Sequence, residues 1–323
     1  MKKKEIEKLV LTKKKKYKLP NYTFGVEIEC YNASSNLLAY KLHEAGIKVR
    51  GSMVSASVRD LMGVPAGNRI NRTIYWDIGD DGSITGRDSM EIRSPILRGE
   101  KGIEEIKTVC KVLNDLKIKT NSSCGLHVHV GIKNSKKKFN VKQILKIMQV
   151  YEENSKTIDR WVKAGRRTGR NGYAESVKDF IKNATAETEK VRDVKWVQDG
   201  FGSGRYETIT KIVKRRLPQT LTALARKADH FDRVNFSAYT KHGTIEFRQH
   251  HGTVNGEEIT NWVRFLLNHI ENAREVFSLE KKQKKVEKKP VVINKINPLL
   301  GLPPVVQQHF KKRIRKYRSA QAA

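Results

Sequence analysis

Short runs of strict alternation mark the first half of the chain. In "NYTFGVEIEC", Phe24, Val26 and Ile28 fall on one side of an extended backbone and Gly25, Glu27 and Glu29 on the other. Period-two patterning of this kind predicts a half-buried strand. "IYWDIGDDGSI" predicts a strand entering a turn at Asp81-Gly82, and "SMEIRSPI" a short strand ended by Ser94-Pro95. "CGLHVHVGI" sets Leu126, Val128 and Val130 against His127 and His129. "VNFSAYTKHGTIEFRQH" predicts a hairpin with Lys241-His242-Gly243 near its turn. Its second strand sets Ile245 and Phe247 on one face and Glu246, Arg248 and His250 on the other.

Helical spacing appears between these runs. Residues 35–45 read as a helix stopped by Gly46, and residues 100–118 carry a stripe of Ile103, Ile106, Val109, Cys110, Leu113 and Leu116. A long helix is expected over 141–163, with Val141, Ile144, Leu145, Met148 and Tyr151 along one face. Further helices are expected over 174–197, 207–230 and 257–278, the last with an acidic first turn. Residues 51–72, the basic "RRTGRNGY" over 166–173 and "QDGFGSGRYET" read as loops. A Lys-rich linker follows residue 278, and residues 290–318 mix apolar "NPLLGLPPVV" with basic "KKRIRKYR". There is no internal repeat.

Charge changes this picture at the ends. The 323 residues hold 65 Lys+Arg against 34 Asp+Glu, a net charge of +31. Residues 1–20 contain nine Lys and two Glu, and residues 281–323 contain ten Lys, three Arg and one Glu. The division expected is a basic N-terminal arm (1–20), a central domain (21–279) and a basic C-terminal extension (280–323). Such a balance favours nucleic acid or another polyanion as a partner of the tails, or simply solvates them. The three cysteines show no zinc or disulfide spacing and fit small core positions in a reducing, cytoplasmic setting. The N-terminus lacks the apolar stretch of a secretory signal, and no apolar run approaches the ~20 residues of a membrane span.

The strands share one chemistry: aliphatic behind, acidic or imidazole in front. Glu27 with Glu29, Glu91, His127 with His129, and Glu246 with Arg248 occupy such fronts. Taken singly, each fits a metal site, a polar pocket or a solvent-facing edge. Together they describe a sheet whose polar sides meet, where converging carboxylates call for a cation. A mostly oxygen donor set suits Mg²⁺ or Mn²⁺ better than zinc. Arg248 offers a planar fork to phosphoryl oxygens. There is no P-loop and no Gly-x-Gly-x-x-Gly between a strand and a helix, so a nucleotide would be held by side chains and metals.

In this order, "FGVEIE", "DGS" with "EIRSPIL", "CGLHVHVG" and "RVNFSAYTKHGTIEFRQHHGT" resemble the amidoligase family of the carboxylate–amine ligase superfamily, over residues 22–278. The resemblance implies an α+β fold, a mainly antiparallel sheet of the glutamine-synthetase-like type cupping the active site, with helices on its other face. It implies ATP and Mg²⁺ as cofactors, carboxylate and amine substrates (peptide or protein among them), an acyl-phosphate intermediate, and a homo-oligomer. Carried over motif by motif, Glu29 and Glu91 are expected to ligate one metal, and Glu27, His127 and Glu246 another. His129 would face the nucleotide and Arg248 the transferring phosphoryl group, with Glu246 beside it as a catalytic residue. Asp81, Arg233 and Asn235 are weaker candidates for the substrate pocket. The alternatives are a metal-dependent nuclease or hydrolase acting on nucleic acid, and a nucleic-acid-binding protein whose ligase site has decayed.

Overall fold

The computed structural model describes residues 17–64, 74–167, 174–186, 188–198, 204–214, 217–287 and 296–319. The expected loops at 65–72 and 168–173, the arm before residue 17 and part of the Lys-rich linker lie outside the described residues. An open sheet organises the chain. It contains β1 (Thr23–Cys30), β2 (Val49–Arg50), β3 (Trp76–Gly79), β4 (Met90–Arg93), β5 (Leu97–Arg98), β6 (Gly125–Gly131), β9 (Val234–Asn235) and β10 (Thr244–His251). Its order is β2-β3-β4-β1-β6-β10-β9, with β5 also on β1. Only β2 and β3 run parallel; the other pairs are antiparallel.

One face of this sheet is dry. Phe24, Val26, Ile28, Ile92, Leu126, Val128, Ile245 and Phe247 are all at most 2% exposed. Two long helices cover them, α3 (Gly99–Asp115) and α9 (Gly256–Glu287), with α4 (Val141–Glu153) packed on α9. The stripe expected on α3 is buried through Ile103, Ile106, Val109, Cys110 and Leu113. α1 (Ser35–Glu44) ends as expected before Gly46, whose φ of 79° suits a residue without Cβ. Cys30, Cys110 and Cys124 are buried free thiols.

Several expected elements differ. A short helix, α2 (Ala56–Leu61), interrupts the expected loop. α4 starts on a reciprocal cap, Asn140 and Gln143 each accepting from the other's backbone N–H at 3.0 Å. It stops ten residues early, at Glu153, where the Asn154 side chain donates to the Val150 carbonyl at 2.7 Å. The chain resumes as α5 (Ser155–Ile158) and a tight turn at Asp159–Trp161. Residues 174–197 and 207–230 are not two helices. They give α6 (Lys178–Thr185), a ribbon of β7 (Thr188–Gln198) with β8 (Gly204–Lys214), and α7 (Leu221–Ala225). β-Branched and aromatic residues make up five of the eleven residues of β7 and six of the eleven of β8, and a glycine-rich connection between such runs is hairpin chemistry. The β9–β10 connection is not a tight turn but α8 (Ala238–His242), ended by Gly243 at φ 69°.

The C-terminal region also differs. α9 continues to Glu287, through the start of the expected linker. α10 (Pro304–Ser319) follows, and it buries Val306, Phe310, Arg313 and Tyr317. Phe310 packs on Trp161 with ring centroids 4.5 Å apart. Among the described residues, no helix is long and apolar enough to cross a membrane.

Candidate functional site

The polar side chains of the sheet's other face fall into three rows. Register places Asp77, Arg93, Glu27 and His127 in one row, and Gly79, Glu91 and Glu29 in a second. Gly25, His129, Glu246 and Asn235 form the third. Three acidic strands therefore meet around the histidines of β6. Alternation fixes which residues face the site, and antiparallel register fixes which face one another.

His127 sits between carboxylates from both neighbouring strands. Its Nδ1 lies 3.3 Å from Glu27 Oε2 and 3.5 Å from Glu246 Oε1, and its Nε2 lies 3.4 Å from Glu29 Oε1. His129 Nε2 lies 3.3 Å from Glu27 Oε1, while its Nδ1 meets Thr244 Oγ1 at 2.9 Å. Burial opposes a charged ring there, but the Glu27 and Glu246 carboxylates outweigh it and push the His129 pKa up to about 9. Burial likewise tends to raise Glu27, yet the charge of His129 and the contact with His127 hold it well below the usual carboxylate range. Glu91 goes the other way: burial, then the charges of Glu27 and Glu29, raise it to about 8 against the pull of Arg93.

Neighbouring groups orient the set. Glu246 accepts from Asn235 Nδ2 at 2.6 Å and from an Arg248 guanidinium nitrogen at 2.5 Å. Glu29 accepts from the Gly125 backbone N–H at 2.6 Å. A Cβ on Gly125 would lie 2.9 Å from His127 Nε2 and 3.0 Å from an Arg166 guanidinium nitrogen, so a side chain there would displace those two groups. Arg93 pairs with Asp77 at 2.8 Å and reaches Glu91 at 3.4 Å.

A β-bulge follows at Arg248 and Gln249. Phe247 stands opposite Val128 and His250 opposite Leu126, so Arg248 and Gln249 together face His127 alone. Alternation keeps Arg248 on the face of Glu246, and the extra residue reverses the phase beyond it. His250, expected beside Arg248, instead turns to the helices, its ring 4.8 Å from Trp262.

Two cavities share Glu27 as a wall. The smaller, about 120 Å³, is lined by Glu27, Glu29, Asp81, Glu91, Arg166 and Arg248 among others. The larger, about 270 Å³, is lined by Glu27, Tyr75, Arg93, Arg98, His129 and His242 among others. Ligand-type atoms converge within 4.8 Å of one another in three groups here: Glu29–Asp81–Glu91, Glu27–Glu91–His127 and Glu27–His129–Glu246. The carboxylates that repel one another around Glu91 make a donor set suited to a hard divalent cation.

A family model described as "putative amidoligase enzyme" matches residues 20–270. The chain belongs to the amidoligase family. No curated protein matches it. The match takes in every strand that lines the site of this amidoligase and leaves α10 outside.

Of the residues singled out from sequence, Glu27, Glu29, Asp81, Glu91, His127, His129, Asn235, Glu246 and Arg248 gather in this one cleft. Asn235 acts on Glu246 rather than from the cavity wall. His129, expected at the nucleotide, also shares a ligand-type group with Glu27 and Glu246. Arg233 is elsewhere: it is fully buried, 3.7 Å from Glu152, with its Nε donating to the Glu175 carbonyl at 3.3 Å. Arg93 and Arg166 are among the cleft residues of this amidoligase that escaped the sequence reading. Arg93 follows Glu91 by two, which alternation alone places on the same face. Arg166 comes from a turn after α5, and its spacing gives no sign that it would return beside Gly125.

Proposed function

We propose that this amidoligase joins a carboxylate to an amine with ATP and Mg²⁺ (or Mn²⁺), through an acyl phosphate, on a sheet of the glutamine-synthetase-like type. The observation that carries the reading is the gathering of Glu27, Glu29, Glu91 and Glu246 around His127, with Arg248 and His129 at its edge and the two cavities meeting at Glu27. The larger cavity suits part of a nucleotide, and the smaller suits the reacting carboxylate. Glu29, Asp81 and Glu91 would hold one divalent ion, and Glu27, Glu246 and a β6 histidine another. Bound there, the metal supplies neutralisation and alignment of the phosphates.

The chain's own groups have distinct tasks in that reaction. A substrate carboxylate oxygen attacks the γ-phosphorus, and the bond to ADP breaks. Arg248, clamped by Glu246, presents its fork to the phosphoryl oxygens as charge moves onto them. His129, in the wall of the larger cavity beside Glu27, faces the nucleotide. The amine then attacks the acyl carbon, phosphate leaves with the former carboxylate oxygen, and the nitrogen gives up its proton to the departing phosphate. Burial of the acidic cluster keeps water from competing for the acyl group.

The test is ADP release screened over paired carboxylates and amines, peptides included, with mass spectrometry of the product. Release that requires both partners, and that Glu27→Ala, Glu246→Ala and Arg248→Ala abolish in folded protein, is the expected result. Full activity in Glu27→Ala overturns the site assignment. Cleavage of DNA or RNA with Mg²⁺ and no ATP would favour the metal-dependent nuclease instead. Polyanion binding without ATP turnover would favour a decayed site.

A further inference from the structure

The edge strand β9 is short, and Asn235 on it stands directly across the ladder from Glu246. Asn235 is buried, yet it lines neither cavity of the cleft. Its amide is engaged at both ends. Nδ2 donates to Glu246 Oε2 at 2.6 Å, and Oδ1 accepts twice from Ser237, from the backbone N–H at 2.8 Å and from the hydroxyl at 2.7 Å. Ser237 is the N-cap residue of α8, a position where a serine hydroxyl ordinarily accepts from an N–H of the first turn. Here it makes no such cap and turns back to Asn235 instead.

These contacts settle the sense of the amide. A backbone N–H only donates, so the Asn235 atom facing Ser237 is the oxygen, and the nitrogen faces the carboxylate. A flipped amide would set donor against donor at Ser237 and acceptor against acceptor at Glu246. The carboxylate needs this hold, because the torsion that turns its plane is broad and roughly two-fold. With Oε2 on Asn235, Oε1 is the oxygen presented to the cleft, 3.5 Å from His127 Nδ1, 4.0 Å from His129 Nε2 and 2.5 Å from an Arg248 nitrogen. An Asx turn explains the backbone contact at Ser237, but it calls for neither the hydroxyl nor the amide nitrogen.

We propose that Ser237 and Asn235 form a positioning relay for Glu246, holding its carboxylate plane so that Oε1 meets a divalent cation shared with Glu27 and a β6 histidine. Neither residue touches the cation or the substrates. Ser237 fixes Asn235, Asn235 fixes Glu246, and Glu246 in turn fixes Arg248. The relay rests on the ligation reading above, in which Glu246 helps to hold an ion.

The full chain is titrated with Mn²⁺ in the absence of nucleotide, and the free ion is counted by its electron paramagnetic resonance signal. Asn235→Ser keeps an oxygen that accepts from Ser237 but is too short to reach Glu246. It should weaken the binding of one ion by about 10–100-fold, the usual effect of removing a partner that orients a ligand. Ser237→Ala keeps the backbone donor and loses the hydroxyl, and should weaken the same ion about fivefold. Ser237→Thr keeps the hydroxyl and should match the parent. Circular dichroism should be unchanged in all three. Parent-like Mn²⁺ affinity in Asn235→Ser overturns the relay and leaves the pair as a turn. Equal affinities in Ser237→Ala and Ser237→Thr also overturn it, and that comparison decides the matter even if Asn235→Ser fails to fold. A parent that binds no Mn²⁺ overturns the metal-dependent ligation reading together with the relay, whereas binding that the variants leave untouched overturns the relay alone.

Discussion

Replacing Arg313 with Met separates a seated C-terminal helix from a solvated basic tail. Arg313 is 5% exposed, on α10. One guanidinium nitrogen meets Glu258 in the first turn of α9. Another lies 3.3 Å from the Tyr317 hydroxyl and 3.5 Å from His251 Nε2, while Nε donates to the Trp161 carbonyl at 2.5 Å. Methionine retains the stem and removes the charge, which leaves the Glu258 carboxylate poorly solvated. Breaking a buried pair in this way costs about 3–5 kcal/mol. With an unfolding entropy of ~2.1 cal/mol/K per residue over 323 residues, that lowers Tm by about 4–7 °C. Calorimetry at neutral pH reads it directly, with Lys311→Met and Lys312→Met as controls. Both lysines are exposed on the same helix, and each change should stay within about 0.5 kcal/mol. Adding Glu258→Gln to Arg313→Met should recover part of the loss, because the stranded charge is its main source. If Arg313→Met melts with the lysine controls, α10 is not held by this ion pair and the argument fails.

Three further perturbations probe the cleft and the core. Mg²⁺ at about 100 times its dissociation constant should stabilise the parent by roughly 2.7 kcal/mol in a thermal-shift titration. Glu91→Gln should begin with a higher Tm, since it relieves repulsion from Glu27 and Glu29, and should lose most of that Mg²⁺ response; an undiminished response would remove Glu91 from the metal set. Gly125→Ala should displace His127 and Arg166, cutting both ADP release (by about 100-fold) and the Mg²⁺ shift while circular dichroism stays unchanged. His269 is buried, contacts the Ile147 carbonyl at 3.0 Å, and has its pKa lowered to about 4 by burial. The unfolded chain takes up this proton below about 6.5 while the folded protein refuses it until about 4, so stability falls as pH drops through that window, by up to about 3 kcal/mol. His269→Gln should flatten this part of the Tm–pH curve, and an unaltered slope would show that the ring is not held neutral.

The acidic cleft was legible because its strands keep strict alternation. Glu27, Glu29, Glu91, His127, His129 and Glu246 each follow from a period of two, and the antiparallel sheet brings them together without further information. Alternation fails where a ladder gains a residue. Nothing in "EFRQHH" announces the bulge that leaves Arg248 where alternation put it but sends His250 to Trp262, because a bulge is a property of the pair of strands. Arg166 was hidden for a related reason: its neighbours Ser123 and Gly125 are distant in sequence. The ribbon was a different kind of miss. Helices are expected over 174–197 and 207–230, yet Val191, Val194, Thr208, Ile209, Ile212 and Val213 carried the opposite propensity.

The C-terminal helix shows why a count of charges misleads. Val306, Phe310, Arg313 and Tyr317 follow one another by four, three and four residues, a single helical stripe, and all are buried. The stripe is hard to see because one of its members is a cation and its neighbours Lys311, Lys312, Arg315 and Lys316 belong to the wet side. What lets an arginine serve as a core residue is its partner, and Glu258 lies on another helix, separated by the Lys-rich stretch that suggested a linker. Net charge over a window therefore reports the solvated face faithfully and says nothing of the cation facing inward. The same limit applies within the cleft, where Arg93 and Arg248 add to the basic total of the chain but are engaged with Asp77, Glu91 and Glu246.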